Sequence, residues 1–327
     1  MLGIEPYQLI SFLRQLGLAL AGAASLWGMV FIYLGSKRGP NDPAAVILMW
    51  IGWRLRYLLY GGGALAISMW AAIAGLVPAS AHEGITLIVS FPEILQAAQN
   101  LLPVYLSLTI VLIYGLIKKN FKWIYLLSFI LVFIAISHYT DFRGLPWREI
   151  VFHAFHGFHS IFTLGTVLVL DFMFLSSRSS SILQQNIFPL FPKISKVIWI
   201  GLSLDLLSVL LIFPAAVILS PRFFFAQTVI GILIINGVLL SGIITRRILS
   251  LLHEGRAEHS RRWLLFSNIA GTISVTSWLS LTFVDFFPSL TLSYSQLIGL
   301  YFSAIAALFI FHEVWNFFDK KYQPATP

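Results

Sequence analysis

The chain has 327 residues, of which 58% are hydrophobic and only 10% charged, with a mean hydropathy of +0.86 and a formal net charge of +8. A soluble domain carries roughly 25% charged residues to cover a water-facing surface, so the composition excludes that class and leaves a chain covered by lipid. Cysteine is absent, which excludes disulfides, thiolate metal sites, iron–sulfur clusters and covalently attached c-type haem.

Nine stretches approach the roughly 20 apolar residues that a membrane helix needs. In chain order they lie near 8–35, 46–77, 94–117, 122–138, 150–175, 194–219, 224–250, 263–284 and 296–317. The first is preceded by Glu5 and by no Lys or Arg. A cleavable signal peptide begins with a basic segment, so the first helix is expected to be retained. Breakers separate the stretches, among them Gly39-Pro40-Asn41-Asp42-Pro43, Phe91-Pro92, Arg143-Gly144-Leu145-Pro146, Ser220-Pro221 and Phe287-Pro288. The fold class expected is therefore an all-α, polytopic transmembrane helix bundle.

Nine crossings divide the basic residues unevenly. One side receives 17 Lys and Arg, including Lys37, Arg38, Arg54, Arg56, Lys118, Lys119, Arg246, Arg247, Lys320 and Lys321. The other receives 4: Arg14, Arg143, Arg148 and Arg222. The positive-inside rule places the first group in the cytoplasm. A multi-pass protein of the cell (inner) membrane results, N-terminus outside and C-terminus cytoplasmic. The excess positive charge is read as topology signal and anionic-lipid contact, not as nucleic-acid binding.

The chain also reads as internally duplicated. Met49-Trp50-Ile51-Gly52-Trp53 opens the second segment much as Ile198-Trp199-Ile200-Gly201-Leu202 opens the sixth. Helices one to four then pair with five to eight in the same orientation, with the ninth left over. The units expected are 1–140, 141–290 with the histidine cluster, and 291–327 with the ninth helix and tail.

Five of the eight histidines fall on the outer side: His82, His138, His153, His156 and His159. The last three recur every third residue at the start of the fifth segment. On a helix each is displaced by about 60° from the last, and His159 lies about 9 Å beyond His153. Thr163 and Thr166 continue the stripe, while Phe152, Phe155, Phe158 and Phe162 occupy the other face. A polar face in a membrane must look at protein, water or a cofactor. Imidazole ligates haem iron, copper and zinc. His153 and His156 can share one metal ion, or a member of the trio can pair with His138 across a helix interface and hold haem. Interfacial histidines bonded to water and headgroups are the plain alternative.

Asp205 lies about twelve residues into the sixth segment, where a carboxylate costs roughly 2.5–3.5 kcal/mol to insert. It must be protonated or partnered, with Asn236 or His159 as candidates, and is expected to be a proton relay, an ion-binding position or a helix–helix contact. Arg14, inside the first helix, is a candidate for holding a haem propionate or a quinone carbonyl, and snorkelling to the outer interface is the favoured reading. Asp171 is a candidate partner of His312 if their helices touch; a solvated interfacial pair formed by His312-Glu313 is favoured.

The stretch His156-Gly157-Phe158-His159-Ser160-Ile161-Phe162-Thr163-Leu164-Gly165, with Lys196-Val197-Ile198-Trp199-Ile200-Gly201 and Ile235-Asn236-Gly237, resembles the CopD-like and HemJ-like four-helix membrane proteins over roughly 150–285. The resemblance implies a duplicated four-helix protein handling haem b or a copper ion. The leading expectation is a membrane b-type haem protein engaged in electron transfer, with ligands drawn from His138, His153, His156 and His159. The rivals are a copper or other metal-ion transporter using the same histidines, and a non-catalytic membrane subunit. Partner subunits of a membrane complex, or a quinone, are the partners this implies beside the bilayer.

Overall fold

The computed structural model describes residues 6–39, 42–83, 91–118, 121–137, 147–177, 181–212, 220–254, 260–287 and 290–321, and within these the side chains of 6–7, 75–83, 91–99, 118, 137, 147–161, 181–182, 205, 208–212, 260–261 and 315–321 are not described. The described residues are helical almost throughout and contain no strand. The helices are α1 (Pro6–Ser36), α2 (Pro43–Arg54), α3 (Arg56–Glu83), α4 (Phe91–Lys118), α5 (Phe121–Ser137), α6 (Trp147–Ser177) and α7 (Ser181–Ile187). They continue with α8 (Phe191–Ile212), α9 (Pro221–Val238), α10 (Thr245–His253), α11 (Ser260–Phe286) and α12 (Tyr294–Lys321). A 3₁₀ turn, Phe188–Leu190, joins α7 to α8, and a π-helical turn, Leu239–Ile244, joins α9 to α10. Seven described spans are long and apolar enough to cross a membrane, and two shorter apolar helices accompany them.

The chain divides into two compact units. The N-terminal unit comprises Ile4–Val169 with Ile200–Ile212, and the C-terminal unit Leu170–Trp199 with Phe213–Pro327 and the first three residues.

The N-terminal unit is built on α1, which packs against α2, α3 and α5, while α4 closes on α3 and α5. The buried face of α1 is small: Gly17, Ala19, Ala21, Ala23, Ala24 and Ser25. In lipid there is little hydrophobic force between helices, so they gain by bringing backbones close through small residues. Gly62 of α3 sits against α1 so tightly that a Cβ there would come within 2.7 Å of the Gly17 carbonyl oxygen and the Ala21 nitrogen. Its neighbour Gly61 faces open space. On another side, Gly165 of α6 sits against the Ala19 carbonyl, and the Trp27 indole N–H donates to Thr166 Oγ1 at 3.2 Å. Larger side chains fill the periphery: Leu55, Leu59, Tyr105, Leu108, Ile124 and Tyr125 are at most 1% exposed.

One difference from the sequence expectation concerns the second segment, read as a single helix from about 46. Helix α2 ends at Arg54, Leu55 is its C-cap, and α3 begins at Arg56. Beside this interruption the buried Tyr125 hydroxyl donates to the Gly52 carbonyl at 2.5 Å. Hydrogen bonds from side chains stabilise an irregular helix at membrane depth.

The C-terminal unit is built on α11, which packs against α9, α10, α12 and the π turn. Phe225, Val229, Ile248, Leu251, Trp278 and Tyr301 lie in its interior. At the π turn the Thr245 hydroxyl donates to the Leu240 carbonyl, five residues back, at 2.7 Å. Near α7, the Phe174 ring meets that of Phe188 edge-to-face, and the Phe188 ring meets that of Phe191 at a tilt.

The two adjacent glycines of α3 provide a controlled test of this packing. Gly62→Ala is expected to destabilise the detergent-purified protein by about 1–3 kcal/mol, the usual cost of overpacking. Gly61→Ala is expected to be neutral or stabilising by up to about 1 kcal/mol, because alanine is the better helix former. Thermal unfolding of the two variants side by side decides it; equal melting temperatures would rule out the close α1–α3 contact.

Candidate functional site

The residues that the sequence singles out are placed unevenly. His138 lies outside the described residues. Helix α6 runs unbroken through His153, His156 and His159, so the three share one helix at three-residue steps. Their side chains, and that of Asp205 on α8, lie outside the described residues. Arg14 is enclosed by the N-terminal unit at 5% exposure, along α1 from the buried Ser11 and Gln15, and does not extend to a surface. Asn236 is buried on α9, and its side-chain amide donates to the Ala270 carbonyl of α11 at 2.8 Å.

A polar cluster in the C-terminal unit brings together residues from three helices. His312 of α12 places Nε2 3.4 Å from Asp171 Oδ2 of α6, with the side chains 3% and 15% exposed. The other ring nitrogen, Nδ1, lies 3.2 Å from Thr272 Oγ1 of α11. Next in sequence, Glu313 accepts a hydrogen bond at Oε1 from the Asn268 side-chain amide at 2.7 Å. The expected solvated pair is thus replaced by a buried one. The reason lies in α11, where Asn268, Thr272 and Thr276 recur every four residues and therefore share one helix face. All three are buried. That face gives α12 a polar surface against which His312 and Glu313 can be enclosed without losing every hydrogen bond.

The stripe continues beyond these pairs. Ser277 Oγ meets the Tyr301 hydroxyl at 2.8 Å, whereas Asn268 Oδ1 and Thr276 Oγ1 are buried with no hydrogen-bond partner among the described residues. Buried oxygens of this kind are places where ordered water binds.

The cluster has a definite chemistry. A neutral imidazole has one donor and one acceptor nitrogen, and an imidazolium has two donors. With Nε2–H directed at Asp171, Nδ1 can accept from the Thr272 hydroxyl. On gaining a proton, Nδ1–H can donate to the same hydroxyl, which turns around. The carboxylate beside it balances the added charge. Among the described residues no group of three or more His, Asp or Glu side chains is arranged to hold a metal ion. Thr272 and Asn268 were not singled out in the sequence. The signal that marks them is the four-residue spacing of polar side chains in an otherwise apolar helix.

A double-mutant cycle with Asp171→Ala and His312→Ala is expected to return a coupling of about 0.5–3 kcal/mol in thermal unfolding, as for residues in one network. Thr272→Val alone is expected to cost about 1 kcal/mol. Zero coupling between the first two would contradict the cluster. In comparison with known proteins, no protein-family model, no curated protein and no solved structure matches the chain.

Proposed function

We propose that the chain is a nine-crossing protein of the cell membrane, N-terminus outside and C-terminus cytoplasmic, that binds b-type haem and transfers electrons. The seven long apolar spans together with the shorter helices Phe121–Ile136 and Phe162–Ser177 supply the nine crossings. The duplicated four-helix plan draws support from two glycines. Gly52 packs against Gly28 and Ile32 of α1, and Gly201 against Thr163 of α6. Each is thus the glycine of a Trp-Ile-Gly opening, seated on the helix that begins its repeat.

The observation that carries the haem reading is the continuity of α6 through His153, His156 and His159. With no cysteine in the chain, haem would be held non-covalently, by imidazoles of this stripe and of His138. Haem so held supplies one-electron chemistry. Further along the same helix, Asp171 meets His312. A proton taken up there offsets the charge that an added electron brings into a medium where unpaired charge is costly. Arg14 is assigned to a propionate and Asp205 to a proton.

A second reading, transport of copper or another metal ion, draws on the same stripe as an outer loading site. The buried carboxylate–imidazole pair favours it too, since intramembrane ionisable groups also mark ion paths.

An optical spectrum separates the two. Protein expressed with ample haem is expected to show a Soret band, and His156→Ala and His159→Ala are expected to lose it. A colourless wild-type preparation would sink the haem reading; retained copper would then favour the second, and neither cofactor would leave a structural subunit. Topology is read independently, because the chain has no background thiol. Single cysteines at His82 and Leu145 are expected to react with an impermeant maleimide from outside, and those at Ser179 and Ala257 only after the membrane is opened.

A further inference from the structure

We infer that the interruption between α2 and α3 forms a binding site for the phosphate of an anionic phospholipid, held by Arg54 and Arg56. The two arginines flank Leu55 in the chain, and aromatic rings cover the faces of their guanidiniums. Arg54 Cζ lies 4.5 Å from the Trp50 ring centroid. Arg56 Cζ lies 3.2 Å from that of Trp53 and 4.8 Å from that of Tyr57, and one of its N–H groups donates to the Tyr57 hydroxyl at 3.0 Å. Cation–π contact holds a guanidinium in place by its face and leaves its edge for an acceptor. Among the described residues no carboxylate lies within 4.0 Å of either group. Two fixed forks of N–H donors without an acidic partner match the oxygens of a phosphate.

The level of the site points to a lipid. Arg56 also faces Phe121 at the start of α5, where the neighbouring Lys122 and Trp123 are exposed. Trp53, Tyr57, Tyr114 and Trp123 are 40–57% exposed and form an aromatic ring around this end of the N-terminal unit. Such belts sit at the boundary between hydrocarbon and headgroups. A phospholipid at this level therefore has aromatic side chains beside it at the hydrocarbon boundary and two guanidiniums at its phosphate.

The test uses the full chain, purified from native membrane in mild detergent. Native mass spectrometry reads retained phosphatidylglycerol, and thermal unfolding reads stabilisation by added phosphatidylglycerol, by phosphatidylcholine and by inorganic phosphate. Wild-type protein is expected to retain phosphatidylglycerol and to be stabilised by it alone. Arg54→Gln with Arg56→Gln is expected to lower its apparent affinity about thirtyfold, from about 1 kcal/mol per basic residue. Arg246→Gln with Arg247→Gln, the same charge change in the C-terminal unit, is expected to leave it unaltered. If the glutamine pair does not fold, Arg54→Lys with Arg56→Lys keeps the charge, and loss of the planar forks is still expected to weaken retention severalfold. Equal retention in the position 54 and 56 variants overturns the site, as does equal loss in the 246 and 247 control. Stabilisation by inorganic phosphate as strong as by the lipid overturns the lipid assignment.

Discussion

Every polar group that this chain carries into a bilayer has to find its partner within the protein. Lipid offers no hydrogen bonds, so an unmatched buried group costs several kcal/mol. The two units meet that constraint differently. In the N-terminal unit α1 presents Gly17, Ala21 and Ala24 to its neighbours, and the same helix buries the polar side chains of Ser11, Arg14, Gln15 and Ser25. Direct polar contacts between its helices include Trp27 to Thr166 and Tyr125 to Gly52. In the C-terminal unit α11 instead carries Asn268, Thr272, Thr276 and Ser277 in its buried face, and Asn268, Thr272 and Ser277 hydrogen-bond to α12.

This contrast explains how each central helix packs although neither is strongly amphipathic. Small side chains allow contact on all sides of α1, so no single face is set apart for packing. On α11 the polar residues are those facing inward, the reverse of a soluble helix, because the surroundings are less polar than the interior. A search for apolar faces therefore finds the helices but misreads which side of α11 is enclosed.

The same reasoning sets what was legible in the sequence. Apolar run length alone located the long spans, since a run of that length has no use in a small soluble core. That Gly62 and not its neighbour Gly61 meets α1 was not legible, because it depends on how α3 is turned against α1. The break at Leu55 was invisible because no proline or glycine sits at that position; two arginines on either side of it were the available sign. The burial of His312 was missed for a different reason. Whether a polar residue near a helix end meets solvent or protein depends on which helix lies beside it, and one sequence carries no record of neighbours. Asp171 and Thr272 come from helices far apart in the chain, and only their convergence distinguishes a buried pair from two interfacial residues.

That convergence also bears on how a proton can be taken up inside a bilayer. An interior that already contains hydroxyls, amides and a carboxylate–imidazole pair can change protonation by turning a hydroxyl. Helix α6 contributes to both units, with the histidine stripe in its first half and Asp171 in its second, so the residues proposed to bind a cofactor and those able to take up a proton belong to one continuous helix.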